Sequence, residues 1–510
     1  MSSTARRFHD ETTHTPYSVR TSGHTLEWDI KPFPFKVYTE LPAISLSREI
    51  DVLARPALSV LETASAPATH LTLDGLTALL YYSAGVTRRK TYPGGGEVLF
   101  RAAASTGALY QTELYVAAGN VDGLPPGLYH FCPGDFTLRR LREGDVRAAL
   151  AAAAADPTLS RRAATLILTA IFWRNTWKYQ ARGFRHLFWD SGTMLANTLA
   201  VGDALGLTPR VVTGFVDAEV DHCLGLDPER EVALELVALG PEGPAAPAAG
   251  TLPVIAHDVM PLSSAEVDYP LLREMYRASS LERSDEVVAW RRGTAPPPRE
   301  PRGPIVPLPA PSRESRPLGE TIQRRGSTRR FAHASISAQD LATALWAATR
   351  PWPADVPGGL VDLYLVVNAV EGVAPGAYAL WPGRGLELIR EGSVRNEAAY
   401  LTLEQALGGD AAATIFFLAP LDAILEQWGD RGYRLANLEA GLAGGRAYLA
   451  AYSLGFGATG LTFYDTEVVR FFAPHAAERD AIFVTALGRA ARALDGVLVS
   501  SAIQPPTRRL

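Results

Sequence analysis

Lys178 and Tyr179 are the adjacent pair in this 510-residue chain best suited to moving a proton. Either side chain becomes a working acid or base when burial or a neighbouring charge moves its pKa. A solvated lysine would do nothing of the kind, so the pair needs a setting. A second set, Arg324-Arg325-Gly326-Ser327-Thr328-Arg329-Arg330, places four arginines and two hydroxyls in seven positions. Guanidinium forks and short hydroxyl donors match a phosphate; a solvated basic turn would carry the same residues. Two further sets, Ser105-Thr106-Gly107-Ala108 and Gly457-Ala458-Thr459-Gly460, join hydroxyls to glycines. Glycine lets backbone N–H groups approach a ligand closely, although turns also use it for conformation alone.

The elements that must position these residues occur twice. Glu113-Leu114-Tyr115-Val116 returns as Asp362-Leu363-Tyr364-Leu365, and Arg182-Gly183-Phe184-Arg185 as Arg431-Gly432-Tyr433-Arg434, both 249 positions on. Such an offset means two domains of one fold, joined head to tail. The copies have kept different halves of the chemistry. Aligning the helix at 340–345 on that at 75–80 puts the arginine cluster on 59–65 (SVLETAS), which holds no arginine. In reverse, the Ser-Thr-Gly-Ala loop has no counterpart in 351–360 (PWPADVPGGL), and Lys178-Tyr179 maps onto Gln427-Trp428. The glycine-rich stretch around Gly457 maps onto Gly206-Leu207-Thr208-Pro209, which is too bulky for the same use.

The pattern predicts an N-terminal arm at 1–55, a first domain at 56–242, a linker at 243–317, a second domain at 318–492 and a tail at 493–510. In the first domain, helical spacing runs over 74–81, 146–155 and 184–205, with strands at 114–118, 128–131, 165–172 and 232–239. The second repeats this with helices at 338–347 and 434–454 and strands at 361–367, 414–418 and 482–486. The Pro-rich 295–317 should be extended, with a short helix at 270–281 before it. Short strands with long helices give an α+β class, one sheet per repeat. Arg174, Arg182 and Arg185 flank the Lys-Tyr pair. Their like charge would favour neutral Lys178, or they are ordinary helix-face charges.

Composition narrows the rest. The two cysteines, Cys132 and Cys223, fit buried free thiols and no zinc spacing. A net charge of −5 gives no general basic footprint for nucleic acid. No apolar run approaches a membrane span, and residues 1–27 lack the apolar core of a secretory signal, so a cytoplasmic protein is expected.

Together these residues resemble the nitroreductase-like flavoproteins. More narrowly, Ser105 to Tyr115 and Asn120 to Tyr129 resemble the azoline dehydrogenases of ribosomal peptide biosynthesis, of the SagB, McbC and cyanobactin-oxidase type. Ala104 stands where that family usually has proline. The resemblance implies a nitroreductase-like dimer fused into one chain, an intramolecular pseudo-dimer with one FMN across its seam. The second repeat would supply Arg324, Arg325, Ser327, Arg329 and Gly457, Ala458, Thr459, Gly460. The first would supply Ser105, Thr106, Gly107 and the catalytic Lys178 and Tyr179. It further implies that a base, Lys178 or Tyr179, removes the acidic Cα proton of a thiazoline or oxazoline while hydride passes to the flavin, which dioxygen reoxidises. The expected partners are an azoline-containing precursor peptide and a cyclodehydratase. Two other readings are a flavin reductase of nitro or quinone compounds driven by NAD(P)H, and a non-catalytic scaffold of an azoline-forming complex.

Overall fold

The computed structural model describes residues 3–62, 68–92, 96–248, 250–492 and 496–498. Residues 63–65 of the arginine-free segment, and all of the expected tail except 496–498, lie outside them. Each repeat is built on one seven-stranded antiparallel sheet, and the two sheets share one strand order. In the first, the spatial order is Ala43–Ser45, Thr137–Glu143, Gly127–Cys132, Thr112–Ala118, Arg162–Ile171, Glu231–Glu242, Arg210–Val212. In the second it is Ile305–Val306, Gly385–Glu391, Gly376–Trp381, Asp362–Val367, Ala413–Ala419, Asp480–Gly488, Gly457–Gly460. The α+β class therefore stands, as does the pseudo-dimer. Strand Arg162–Ile171 is covered on both faces, so it reads in sequence as an unbroken apolar run. Its reading as 165–172 slips at the end, where Phe172 already opens a helix.

Each sheet feeds the same helical unit. Helix Phe172–Tyr179, a 3₁₀ turn over Gln180–Arg182 and the long helix Gly183–Ala204 recur as Leu421–Trp428, Gly429–Arg431 and Gly432–Leu454. The two long helices pack against each other at the centre of the molecule, and small residues set how closely. A Cβ on Gly192 would fall 2.5 Å from the Leu438 carbonyl oxygen, and its repeat mate Gly441 presses as tightly on the Trp189 backbone. Side chains therefore cross between cores: Leu438, Leu442 and Leu449 pack in the first repeat's core, Leu58, Leu61 and Trp189 in the second's.

The arm and the linker turn out to be one element written twice. Arm helix Thr4–Glu11 and linker helix Pro270–Ala278 each lie against an Arg-Gly-x-Arg turn. Arg182 donates to the Thr12 carbonyl (2.6 Å) and Arg185 to that of His9 (2.7 Å). In the second copy Arg431 donates to the Ser279 carbonyl (3.1 Å) and Arg434 to that of Tyr276 (3.0 Å). The arm also gives its sheet the edge strand Ala43–Ser45, as the Pro-rich stretch gives Ile305–Val306 to the other. The Pro-rich stretch thus gives the second repeat's sheet its edge strand, while helix Pro270–Ala278 also packs Leu272, Met275 and Tyr276 into the first repeat's core. Cys132 and Cys223 are buried free thiols. Among the described residues no helix is long and apolar enough to cross a membrane.

Candidate functional site

Two cavities meet at the seam between the repeats, one of about 770 Å³ and one of about 450 Å³. Ala104, Ser105, Ser327 and Arg329 line both, so the two adjoin there.

The larger cavity gathers the first repeat's residues. Ser105 leads into a 3₁₀ turn, Thr106–Ala108, where Gly107 takes φ = 64°, a left-handed conformation that favours glycine. The turn is tied to Asp190, which projects from the long helix Gly183–Ala204. Its carboxylate accepts hydrogen bonds from Ser105 Oγ (2.5 Å), Thr106 N (2.9 Å), Thr106 Oγ1 (2.7 Å) and Gln111 Nε2 (2.8 Å). Burial nevertheless pushes the Asp190 pKa up to about 6, against the pull of those donors. Lys178 and Tyr179 end the short helix Phe172–Tyr179, and both line the same cavity. A Cβ on Gly107 would fall 3.0 Å from the Tyr179 hydroxyl, so the loop and the pair are in contact. The Tyr179 ring stands edge-on to His186 at 4.3 Å, and His186 stacks on Trp189 at 4.6 Å, which fixes the tyrosine's direction.

The pair's two pKa values move apart. Burial lowers that of Lys178, and the Arg329 and Lys31 charges lower it further. Burial raises that of Tyr179, and Asp190 adds to the rise. The arrangement favours a neutral lysine and a protonated tyrosine. Arg174, Arg182 and Arg185 act as neither of the expected alternatives. All three are buried and neutralised: Arg174 by Glu113, Arg182 and Arg185 by Asp465.

The second repeat supplies the opposite wall more selectively than its motifs suggest. Ser327 lies 3.3 Å from the Tyr448 hydroxyl, and Ser327 and Arg329 face both cavities. Arg325 lines the smaller cavity, but its guanidinium is engaged by the carbonyls of Ala102 and Arg101, each at 2.7 Å, and clips the repeats together. Arg324 lines neither cavity; it is exposed and pairs with Glu320 at 2.8 Å. The glycine-rich stretch is no open loop. Gly457–Gly460 is an edge strand on Asp480–Gly488, and Thr328 N donates to the Ala458 carbonyl at 2.9 Å. Gly457 is needed because Thr328 leaves no room for a Cβ. Of Gly457, Ala458, Thr459 and Gly460, Gly460 alone reaches a cavity wall, its N–H donating to Tyr448 Oη at 2.5 Å.

Sequence reasoning missed Asp190, Tyr448, and the arm residues Thr13, His14 and Ser18 that wall the larger cavity. Asp190 had a signal, an acid inside a helix otherwise buried along its length, with Glu439 as its repeat mate. The mate shows how the mirror position closed. Glu439 accepts backbone N–H groups of Gly359 (3.0 Å), Leu360 (2.6 Å) and Val361 (3.1 Å), drawing the loop onto itself. Gln427 accepts from Thr294 Oγ1 at 3.1 Å, and Trp428 is buried beneath the linker helix Ser284–Trp290.

The donor chemistry fits a flavin mononucleotide. The smaller cavity is rich in cations and has no acidic side chain on its wall among the described residues, and the larger is broad and of mixed polarity.

Comparison with known proteins agrees with this architecture. The Nitroreductase family model matches residues 322–488. Nitroreductase MJ1384 of Methanocaldococcus jannaschii is 31% identical over 202 residues, 39% of this chain and 94% of that protein. The microcin B17-processing protein McbC of Escherichia coli is 27% identical over 28% of this chain and 51% of its own. The trifolitoxin-processing protein TfxB of Rhizobium leguminosarum is 29% identical over 32% of this chain and 46% of its own. The chain thus spans about half the length of these last two. The crystal structure of a nitroreductase from Anabaena variabilis superposes on 96% of this chain and 100% of its own, with TM-score 0.78 and 27% identity. This chain is similar to McbC and TfxB within a wider group, and it belongs to the nitroreductase family.

Proposed function

We propose that this chain is an FMN-dependent dehydrogenase that oxidises thiazoline or oxazoline rings in a ribosomally made peptide to the aromatic azoles. The observation that carries the reading is the convergence of Lys178, Tyr179 and the Ser105–Thr106–Gly107 turn from one repeat with Ser327 and Arg329 from the other. Ser327, Arg329 and Gly460 would hold the cofactor from the second repeat, and Ser105, Thr106 and Gly107 would border its ring. Bound there, FMN would supply the two-electron acceptor, chemistry that no side chain provides. Lys178, held toward its neutral form, takes the acidic Cα proton, and Tyr179 stays protonated as a hydrogen-bond donor. A positioned base of this kind is worth ~10²–10⁴ in rate. Asp190 holds the turn against Tyr179, and the arm excludes water from one side of the cavity. The similarity to two peptide-processing proteins supports a peptide substrate, and with it a cyclodehydratase partner that would form the rings.

The test is to incubate the purified, FMN-loaded chain with an azoline-containing peptide in air. Loss of two hydrogens per ring, read by mass spectrometry, is expected. No ring oxidation, together with rapid bleaching of the flavin by NADPH, would replace this reading with that of a nitro or quinone reductase.

A further inference from the structure

The smaller cavity carries more positive charge than the arginine opening accounts for. Its far wall is a hairpin of the first repeat, Val86–Thr91 paired with Glu97–Arg101. Arg88 lies opposite Phe100 and Lys90 opposite Val98, so these four side chains share one face of the hairpin, and that face is the cavity wall. Arg325, Arg329, Arg330 and Arg492 face them from the second repeat, and among the described residues no aspartate or glutamate lines the space. Arg88 is only 8% exposed. It makes no hydrogen bond or ion pair among the described residues, whereas the neighbouring Arg89 pairs with Glu97. Its guanidinium opens on the cavity with no counter-charge among the described residues, and an anion bound there would complete it. Arg325 cannot serve fully, since its fork is already bonded to two carbonyls of the first repeat.

We propose that Arg88 is the anchor of a phosphomonoester site, so that the anion is gripped from both repeats and not by the arginine opening alone. This rests on the flavin reading for the identity of the ester, which is the FMN phosphate. The cavity adjoins the larger one at Ser105 and Ser327, where a flavin side chain would pass.

Calorimetric titration of the full chain with FMN, riboflavin and inorganic phosphate tests the anchor in wild type, Arg88→Met and Arg88→Lys. Losing a charge-assisted pair should weaken FMN about tenfold to a hundredfold in Arg88→Met. Riboflavin binding should be unchanged, phosphate binding lost, and Arg88→Lys intermediate. Arg88→Met binding FMN and phosphate as wild type does would overturn the anchor. Parallel loss of riboflavin would overturn it too, because Arg88 would then support the fold or ring site. Wild type binding phosphate in an Arg88-dependent way, but no flavin, would keep the anchor and remove the flavin reading. Wild type binding none of the three would remove both.

Discussion

Arg185 of the first repeat meets Asp465 of the second at 2.6 Å, and their repeat mates Arg434 and Asp217 meet at 2.7 Å in the opposite sense. Arg182 and Arg431 complete each clamp, at 3.0 Å and 2.5 Å. The Asp465 backbone and carboxylate also exchange hydrogen bonds with His14, both 2.9 Å, so this clamp pins the arm beside the larger cavity. Burial alone would raise the Asp465 pKa; Arg182 and Arg185 overcome it and hold the carboxyl well below the ordinary range. Its folded value is depressed, so its stabilisation is present above the unfolded value of 3.8 and is lost as pH falls through the folded one. Asp465→Asn leaves two buried guanidiniums unneutralised and should cost ~3–5 kcal/mol at neutral pH. Urea unfolding of variant and wild type checks this; equal midpoints and slopes would show that the clamp is incidental.

The central helix crossing gives a second expectation. Gly441 lies against the Trp189 backbone with no space for a methyl group. Gly441→Ala should push the long helices apart, cost ~1–3 kcal/mol and weaken flavin binding across the seam. Thermal melting with and without FMN measures both effects. A variant as stable as wild type and as tightly loaded would show that the crossing has slack.

Asp190 should give the site a pH dependence. Its pKa is raised from 3.8 to about 6, so its contribution to stability is fully present below 3.8 and is lost as pH rises through about 6. Asp190→Asn does not titrate. Relative to wild type, the variant should therefore be more stable near ~pH 8 than near ~pH 4. The variant-minus-wild-type difference in unfolding free energy should therefore rise steadily from acid to base across that range. A constant gap would mean that Asp190 keeps an ordinary carboxylate pKa. Because Asn donates where Asp accepts, the Ser105–Thr106 turn should also loosen, seen as weaker substrate binding at unchanged flavin content.

Lys178 and Tyr179 should separate by pH. Lys178→Ala should slow azoline oxidation ~10²–10⁴-fold with FMN still bound. Tyr179→Phe keeps the ring against His186 and removes only the donor, so its loss should be smaller. Arg329 contributes to the lowered Lys178 pKa, so Arg329→Gln should move the acid limb of the rate profile to higher pH at saturating FMN. Full activity in both Lys178→Ala and Tyr179→Phe would remove the pair from the chemistry.

The repeat was legible because its sheet and long helices kept one offset through most of their length. The arm and linker were not, because their shared element survives as geometry while its residues changed: His9 became Tyr276 and Thr12 became Ser279, with backbone carbonyls doing the bonding. Backbone contacts leave no mark on residue type. The glycine-rich stretch differs for another reason, because Gly457 is required by the Thr328 side chain packed against it. Arg324 and Arg325 were read as equivalent donors, yet their directions differ: one pairs outward with Glu320 and the other inward with the Ala102 carbonyl. Lys178 and Tyr179 stand out in sequence because an ionisable pair in one copy aligns with a neutral Gln427-Trp428 in the other, and the structure places both on the wall of the larger cavity.

The central claim is a single flavin held across the seam, with the mirror position closed by Glu439, Trp428 and the linker. Its most direct measurement is flavin content per chain, from the absorbance of FMN released from a known amount of saturated, desalted protein. The account predicts one FMN per chain. Two per chain would show that the mirror position still binds, and none would show that the seam is not a flavin site.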